Sequence, residues 1–511
     1  MPGGATPAGG ETLDALLAGG EPAQAAFVVP DDGQELSYGE VAGRIETLAG
    51  RLAAAGVSRG DRVALTLPGS PDFVQLLLAI TVLGAAAAPL NPAYTEPEYT
   101  FYLEDVAPRL LLVPASLPAA AAAAAAATNT QLLAVADVPG GPPDLLRDGA
   151  PVAARPGFER GTPDDIAIVL HTSGTTSRPK QVPLRQSNLM ASTRNVAAHF
   201  ELGPGDVSFC VMPLFHVHGL VASTFATLAS GGTVVSPRRL TPQRFWRQAR
   251  ETGTTWLSAG PTLHQMLLGK IDDEGAPGTL RFTRSCSSAL SPELLHRAES
   301  LYRVPMLESY GMTEASHQMT ANPMPPGERV PGSVGVSAGT EVGIVDGSGS
   351  FLPAGEAGEV VIRGPGVMSG YVNNPAATAE AFYGEWFRTG DRGALRDGYL
   401  YLEGRIKEMI IRGGENISPA EIEQVLLSHP AVTDAVCFGV PDEKYGELPA
   451  AAVTLAADVE PRELIGYCRE RLAAFKVPSV IHVLPQIPRT ATGKVQRRRV
   501  GEFVASGQAA G

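Results

Sequence analysis

Short hydrophobic runs alternate along this chain with longer segments whose apolar residues recur at helical spacing. Runs such as Val63–Leu67, Ile166–Leu170 and Gly232–Ser236 are rich in aliphatic and β-branched residues, which is typical of buried strands. Their repeated alternation with helices predicts an α/β fold of mainly parallel sheets flanked by helices. The longest apolar stretch, Phe73–Leu90, contains a glutamine, a glycine and a proline and has no basic flank. It therefore predicts a buried helix that runs into a strand, and not a membrane span.

The pattern changes in the last third of the chain. From Val334 to Gly404, short strand-like runs are separated by glycine and proline turns, which predicts a β-rich subdomain. Beyond Lys407, another β-rich run leads into the turn Gly413–Gly414 and then into Ser418-Pro-Ala, where serine as N-cap and proline at the first helical position start a helix. This strand–turn–helix unit predicts a separate, smaller α+β domain.

Composition and charge exclude several classes of function. The chain has 511 residues, of which 44% are hydrophobic and 18% charged, enough for a large buried core. Its formal net charge of −13 argues against a nucleic-acid partner, because nucleic-acid-binding proteins concentrate positive charge. The basic run Arg497–Arg499 is expected to be a solvated tail. The four cysteines lack metal-ligand spacing and the N-terminus lacks a signal-peptide pattern, so a cytoplasmic location is expected.

Four polar clusters carry the candidate chemistry, and the first follows the strand that ends at Leu170. The loop Thr172–Lys180 is dense in hydroxyl groups and ends with a lysine, so it can surround phosphate groups with N–H groups, hydroxyls and a cation. It is not the GxxxxGK[ST] nucleotide-binding loop, because no Gly-Lys-Ser/Thr sequence closes it. The candidate phosphate ligands are Thr172, Ser173, Gly174, Thr175, Thr176 and Lys180.

The second cluster, Tyr310-Gly-Met-Thr-Glu314, combines an aromatic face with a glycine, a hydroxyl and a carboxylate. An aromatic ring can stack on a base, and a carboxylate is a ligand that Mg²⁺ accepts beside phosphate oxygens. In the third cluster, Asp391 can bind ribose hydroxyls, as acidic residues do in dinucleotide-binding folds. The fourth places Lys494 after a glycine near the chain end, which on its own is typical of a solvated loop.

In this order, the four clusters resemble the adenylate-forming superfamily of acyl-CoA synthetases, nonribosomal adenylation domains and luciferases. The resemblance covers essentially the whole chain. It implies a large N-terminal domain at residues 1–406, with three subdomains of which the last is the β-rich one at about 334–404. A small mobile C-terminal lid domain would follow at residues 407–511, with Lys407 as the hinge, and the active site would lie between the two domains.

The resemblance also implies a function for each residue of the clusters. By this match Thr172–Lys180 binds phosphate, Thr313 contacts the α-phosphate and Glu314 holds Mg²⁺. Tyr310 and Gly311 lie at the adenine, and Asp391 and Arg405 bind the ribose. Lys494 bridges the substrate carboxylate and the α-phosphate, and Gly413 and Gly414 approach the pantetheine arm of coenzyme A. Thr313, Glu314 and Lys494 would be the catalytic residues. A carboxylate and ATP would first give an acyl-adenylate and pyrophosphate, and coenzyme A would then displace AMP.

The acyl pocket is where the chain departs from the usual family pattern. The small apolar stretch before the adenine strand reads Ser-Cys-Ser-Ser-Ala-Leu at residues 285–290, so that Ser287 and Ser288 replace an apolar wall. His317 follows the motif glutamate, and His216 occupies the position of the family's mobile gate. Buried hydroxyls and an imidazole need hydrogen-bond partners, which a second carboxylate on the substrate would supply. This run resembles the oxalate–CoA ligase branch of plants and fungi, so oxalate is the expected substrate.

Other functions stay open at this point. A medium-chain or aryl acyl-CoA synthetase would fit if the two serines face the adenine instead of the acyl group. A stand-alone amino-acid adenylation domain would carry an aspartate near the gate, and this chain has none there. A catalytically silent protein on this scaffold would have lost residues of the four clusters, which are all present. His216 and His218 have metal-ligand spacing, but no third ligand accompanies them.

Overall fold

The structure, a computed structural model, describes residues 11–138, 140–172, 179–489 and 495–505. Strands and helices alternate through most of this length, which confirms the predicted α/β class. The apolar stretch Phe73–Leu90 forms a helix at Pro71–Val82 and a strand at Ala86–Pro89, as predicted. In the part of the chain that the structure describes, no helix is long and apolar enough to cross a membrane.

Many of the helices carry a proline in their first turn, where the missing N–H costs no helical hydrogen bond. The α-helices are α1 (Tyr38–Ala54), α2 (Pro71–Val82), α3 (Glu96–Val106), α4 (Ala119–Ala127), α5 (Gln186–His199), α6 (Ala226–Ala229), α7 (Pro242–Glu251), α8 (Pro261–Leu268), α9 (Pro292–Tyr302), α10 (Pro375–Glu380), α11 (Pro419–Leu427), α12 (Pro461–Arg469) and α13 (Arg497–Ala505). A π-helix covers His218–Phe225, and short 3₁₀ helices cover Leu13–Gly19, Thr313–Ala315 and Ile406–Glu408.

The strands are mostly short and buried. Those of the first half are β1 (Ala25–Val29), β2 (Gln34–Ser37), β3 (Arg62–Leu65), β4 (Ala86–Pro89), β5 (Leu110–Pro114), β6 (Gln131–Ala136), β7 (Asp144–Arg147), β8 (Ala150–Pro151), β9 (Ile166–Thr172), β10 (Lys180–Arg185), β11 (Val207–Phe209), β12 (Thr233–Val235) and β13 (Trp256–Ala259). Those of the second half are β14 (Phe282–Ser285), β15 (Met306–Met312), β16 (His317–Ala321), β17 (Val336–Ser337), β18 (Glu341–Val345), β19 (Ala357–Arg363), β20 (Phe382–Tyr383), β21 (Trp386–Arg396), β22 (Tyr399–Arg405), β23 (Ile410–Arg412), β24 (Glu415–Ile417), β25 (Val432–Asp442), β26 (Gly446–Leu455) and β27 (Val480–Val483).

Three sheets form the large N-terminal domain. A nine-stranded sheet has the order β17-β16-β15-β14-β13-β11-β12-β1-β2, and its strands from β15 to β1 are parallel. An eight-stranded sheet has the order β10-β9-β4-β3-β5-β6-β7-β8 and is parallel from β9 to β6. Strands β18 to β22 form the antiparallel sheet of the predicted β-rich subdomain. Because parallel strands end at the same edge of a sheet, the polar segments that follow β13, β14 and β15 lie together at the carboxyl edge of the nine-stranded sheet.

The smaller C-terminal domain contains the sheet β24-β23-β26-β25 with β27 paired to β26, and helices α11 and α12 pack on it. Its buried side chains, such as Ile422, Leu426 and Leu464, form a core that is separate from the cores of the large domain. The predicted strand–turn–helix unit contains one more strand than expected, because the turn Gly413–Gly414 closes a hairpin between β23 and β24. Serine and proline start α11 at Ser418 as predicted.

The expectation that Arg497–Arg499 is a solvated tail is wrong for its first residue. Arg497 begins α13, and its Nε lies 3.1 Å from Glu408 Oε2. It also donates hydrogen bonds to Glu423 and to the backbone oxygen of Cys437. Buried carboxylates are the partners that a buried guanidinium requires, so Arg497 joins the last helix to the rest of the C-terminal domain. Arg499 is exposed.

Candidate functional site

A cleft of about 1920 Å³ lies at the carboxyl edges of the sheets and extends to the C-terminal domain. It brings together most of the residues that the sequence singles out, namely Thr172, Lys180, His216, Ser287, Ser288, Tyr310, Gly311, Thr313, Glu314, His317, Asp391, Arg405 and Lys407. Ser173, Gly174, Thr175, Thr176 and Lys494 lie outside the described residues. Gly413 and Gly414 are described but do not line the cleft, because their hairpin turn lies on the C-terminal domain beside Tyr445.

The second cluster is built where the nine-stranded sheet changes direction. Strand β15 runs parallel to β14 toward the cleft, the 3₁₀ turn Thr313–Ala315 reverses the chain, and β16 returns antiparallel to β15. Gly311 makes this hairpin possible, because a Cβ at that position would lie 2.2 Å from the backbone oxygen of His317. Tyr310 thus lies on the first strand of the hairpin, Glu314 lies in the turn, and His317 begins the second strand.

One end of the cleft, called the nucleotide end because the sequence resemblance implies adenosine there, is a network of polar side chains around the buried Tyr310 and Asp391. The Tyr310 hydroxyl donates a hydrogen bond to Asp391, and Arg405 Nε lies 3.4 Å from the other carboxylate oxygen. Asp391 and Arg405 face each other across β21 and β22. Burial, together with the neighbouring Asp391, raises the pKa of Tyr310 well above its ordinary value, so Tyr310 remains a neutral donor. The positions of the aromatic ring and of the carboxylate are thus fixed relative to each other by a hydrogen bond.

Glu314 supplies the carboxylate on the other side of this network and is 8% exposed. The Tyr371 hydroxyl donates to Glu314 Oε1 at 3.3 Å, and Lys180 Nζ lies 4.5 Å from the centre of the Tyr371 ring. Among the described residues no group of three or more histidine, cysteine or acidic side chains could hold a metal ion. A single carboxylate suits Mg²⁺ where phosphate oxygens are also present, because this ion keeps several waters and takes its other ligands from those oxygens.

The acyl end of the cleft is lined by imidazoles and hydroxyls. His218 is 4% exposed, and its two ring nitrogens lie 3.0 Å from Ser287 Oγ and 2.7 Å from Ser258 Oγ. The ring of His317 stacks on that of His218 with centroids 5.1 Å apart. Ser287 and His317 have φ angles of +80° and +130°, a backbone conformation that costs energy for non-glycine residues and is concentrated at functional sites. His218 is therefore a hydrogen-bonded histidine and not a metal ligand.

The other acyl-pocket residues are placed differently. Ser288 is exposed on the cleft wall, and His216 is half-buried beside the ring of Phe215. The His317 Nε2 atom is buried and has no hydrogen-bond partner among the described residues. Burial, with the positive charge of Arg284 as a further cause, lowers the pKa of His317 well below its ordinary value, so the ring is neutral.

Three polar residues at the acyl end were not expected from the sequence. Arg284 on β14 and Ser258 on β13 are fully buried neighbours in register, and Arg284 Nη1 donates to Ser258 Oγ at 2.8 Å. Glu308 lines the cleft, accepts a hydrogen bond from the Leu290 N–H at 3.2 Å, and has a pKa raised to about 7 by burial. The sequence signal that could have identified Arg284 is its position as a charged residue within a strand whose other residues are apolar or small. Such an arginine is rarely buried without a functional or structural reason.

Comparisons with known proteins show which family this chain resembles. The model of the "AMP-binding enzyme" family matches residues 17–372, and that of the "AMP-binding enzyme C-terminal domain" matches residues 421–494. The oxalate–CoA ligase of Arabidopsis thaliana is 44% identical over 91% of this chain and 93% of its own length. The sulfoacetate–CoA ligase of Cupriavidus necator is 37% identical over 96% of this chain and 97% of its own length. The crystal structure of ATP-bound MatB from Rhodopseudomonas palustris superposes with a TM-score of 0.87 at 29% identity, covering 96% of this chain and 99% of that one.

The hairpin at Gly311 gives a first prediction. Gly311→Ala should raise the Kd for ATP by about tenfold or more, because the methyl group forces β15 and β16 apart and moves Tyr310. Isothermal titration calorimetry with ATP measures this. Gly347→Ala is the matched control, since a Cβ there meets nothing within 4 Å. Equal ATP affinity of Gly311→Ala and the control would contradict the account.

Proposed function

We propose oxalate as the acid substrate of this chain, which belongs to the AMP-binding enzyme family and is an ATP-dependent acyl-CoA ligase. The observation that carries the proposal is the chemistry of the acyl end of the cleft. There, Ser287 and His317 face the cleft with hydroxyl and imidazole groups, and the buried Arg284 behind them forms no ion pair with a described carboxylate. A short acid with a second negative charge satisfies both features, because it offers acceptors and a counter-charge.

Two relatives support a small acid that carries two anionic groups. One is named for oxalate and the other for sulfoacetate, and both anions place a second charge a short distance from the reacting carboxylate. Oxalate is the shorter of the two, and the 44% identity to the oxalate–CoA ligase favours it. A medium-chain or aryl acid is the competing substrate class, and it would leave the buried donors of this pocket without acceptors. Discrimination of that kind can reach several orders of magnitude.

The nucleotide end would activate the acid. Tyr310 and Asp391 would hold the adenosine, Thr172, Lys180 and Thr313 would hold phosphate oxygens, and an oxygen of the substrate carboxylate would attack the α-phosphorus of ATP and expel pyrophosphate. Glu314 would hold Mg²⁺, which supplies neutralisation of the phosphate charge when it is bound. Since two anions must meet, the residues contribute chiefly by positioning and by placing positive charge at the reacting oxygens.

The second half-reaction would need a different arrangement of the two domains. The sulfur of coenzyme A would attack the acyl carbon, and AMP would leave with the electrons of the broken carbon–oxygen bond. We propose that the lid begins at residue 407 and that Gly413 and Gly414 approach the pantetheine arm. In support, Lys407 is exposed within a short 3₁₀ turn between β22 and β23, and hinges are commonly formed by such short connecting segments. The hairpin turn at Gly413 would reach the cleft only after such a rotation.

Oxalate specificity gives the second prediction. His317→Ala should lower kcat/KM for oxalate by about tenfold or more while changing that for acetate little, because only oxalate loses a charge-assisted hydrogen bond. His317→Asn, which keeps a donor and tolerates a positive φ, should retain more of the oxalate activity. AMP release in the presence of coenzyme A is the readout, and His296→Ala, at an exposed histidine, is the control. The proposal is wrong if octanoate or a cinnamate outcompetes oxalate on the unmodified enzyme.

The third prediction concerns Lys494. Lys494→Ala should lower pyrophosphate release by roughly a hundredfold or more, because a cation is lost at the oxygens where charge develops. Thioester formation from a chemically prepared acyl-adenylate should be largely spared, since lid rotation would remove the lysine before that step. Lys444→Ala, an exposed lysine of the same domain, should change neither rate. Equal losses in both half-reactions would contradict the rotation.

The fourth prediction tests the hinge. Lys407→Pro should slow one half-reaction much more than the other, because proline fixes φ near −65° and a hinge residue must change its angles. Lys407→Ala removes the same side chain but keeps the backbone free, so it should leave the ratio of the two rates unchanged. Single-turnover measurement of pyrophosphate release and of thioester formation separates the steps. Identical rate ratios for the proline and alanine variants would exclude this position as the hinge.

A further inference from the structure

We propose that a line of hydrogen bonds, which starts at the buried Arg284 and passes through Ser258 and His218, fixes Ser287 as a hydrogen-bond donor to the distal carboxylate of the acid substrate. The inference rests on the proposed function, because it names the residues that would select a second carboxylate. It adds Arg284, Ser258 and His218 to the site as positioning residues, since the role proposed for them is to orient Ser287. We call Arg284, Ser258, His218 and Ser287 together the polar line.

The polar line is continuous, and three of its four residues are buried. Arg284 Nη1 lies 2.8 Å from Ser258 Oγ, Ser258 Oγ lies 2.7 Å from His218 Nε2, and His218 Nδ1 lies 3.0 Å from Ser287 Oγ. Arg284 and Ser258 are fully buried, and His218 is 4% exposed. Only Ser287, at the cleft wall, is partly exposed. The register of β13 and β14 sets the first of these contacts, because Ser258 and Arg284 are direct partners across the two strands.

The arginine sets the direction of every bond in the line. A guanidinium can only donate hydrogen bonds, so Ser258 Oγ accepts from Arg284. Arg284 Nη1 also lies 3.4 Å from His218 Nε2, and that nitrogen must therefore be an acceptor. Ser258 then donates its hydroxyl hydrogen to Nε2, and the ring hydrogen is on Nδ1. Nδ1 donates to Ser287 Oγ, which leaves the Ser287 hydroxyl hydrogen to point into the cleft.

The opposite direction is excluded by the same contacts. A hydrogen on His218 Nε2 would face the guanidinium N–H groups and would also leave the Ser258 hydroxyl hydrogen without an acceptor in a fully buried site. A doubly protonated ring is excluded as well. Burial, reinforced by the charge of Arg284, lowers the pKa of His218 well below its ordinary value. The neutral ring with its hydrogen on Nδ1 is thus the arrangement that satisfies all four contacts, including the one between Arg284 Nη1 and His218 Nε2.

The charge of Arg284 gives the line its preference for an anion. Its Nε and Nη2 atoms have no oxygen or nitrogen partner among the described residues, where the Cys286 thiol is a further polar neighbour and no carboxylate forms an ion pair with the guanidinium. Arg281, which directly precedes the same strand, does have an acidic partner, since its Nη1 lies 2.5 Å from Asp206 Oδ1. A buried cation without an acidic partner is costly, and a bound anion at the end of the polar line would offset part of that cost. The site therefore favours an acid whose far end is charged.

The test compares three variants with a matched control. Ser258→Ala interrupts the line without touching the cleft, Ser287→Ala removes its last donor, and the double variant removes both. Ser208→Ala is the control, because Ser208 is equally buried on the nearby strand β11 and its hydroxyl has no partner among the described residues. KM and kcat for oxalate are measured by AMP release, and the KM for ATP is measured with each variant.

Ser258→Ala should raise the KM for oxalate by about tenfold with little change in kcat or in the KM for ATP, as expected for loss of a ground-state contact. The double variant should be no worse than Ser287→Ala alone, because both changes remove one function. An oxalate KM for Ser258→Ala equal to that of Ser208→Ala, or additive effects in the double variant, would overturn the polar line while leaving oxalate as the substrate. Failure of the unmodified enzyme to use oxalate would instead overturn the proposed function, so the two failures are distinguishable.

Discussion

A guanidinium buried without a carboxylate partner is the constraint on which the acyl end of this structure depends. Arg284 lies in the middle of a parallel sheet, fully removed from solvent, and its neighbours must all be acceptors or neutral groups. That requirement sets the tautomer of His218, and burial, reinforced by the charge of Arg284, lowers the pKa values of His218 and of the stacked His317 well below their ordinary value. Because none of the described neighbouring residues supplies a counter-charge to Arg284, an anion bound in the cleft would supply it. In this way a residue of the core would influence the choice of substrate.

The cleft is divided between two kinds of electrostatic environment. At the nucleotide end, the carboxylates of Asp391 and Glu314 accept hydrogen bonds from tyrosine hydroxyls. At the acyl end, hydroxyl, imidazole and guanidinium groups predominate. A reaction that joins a carboxylate to the α-phosphate of ATP brings negative charges together, so we propose that Mg²⁺ held by Glu314 offsets this charge at one end and the donors offset it at the other. The hairpin closed by Gly311 connects the two ends, since Tyr310 precedes the glycine and His317 lies against it.

Much of the fold could be predicted from the sequence because it is encoded locally, as the periodicity of Phe73–Leu90 shows for one helix and one strand. The residues that the structure brings together in one cleft come from clusters far apart in the chain, and they were predicted from the order of those clusters and the family that this order resembles. The polar line could not be predicted, because Ser258 and Arg284 are far apart in sequence and meet only through the register of two parallel strands. Arg497 was misjudged for the same reason, since its acidic partners lie on distant elements.

The central claim is that the acyl end binds a second carboxylate, and a crystal structure with a non-hydrolysable oxalyl-adenylate analogue tests it most directly. The account predicts that the distal carboxylate lies within hydrogen-bonding distance of Ser287 Oγ and His317 Nε2. A distal carboxylate that points toward solvent or toward the adenine, with water molecules on Ser287 and His317, would contradict it.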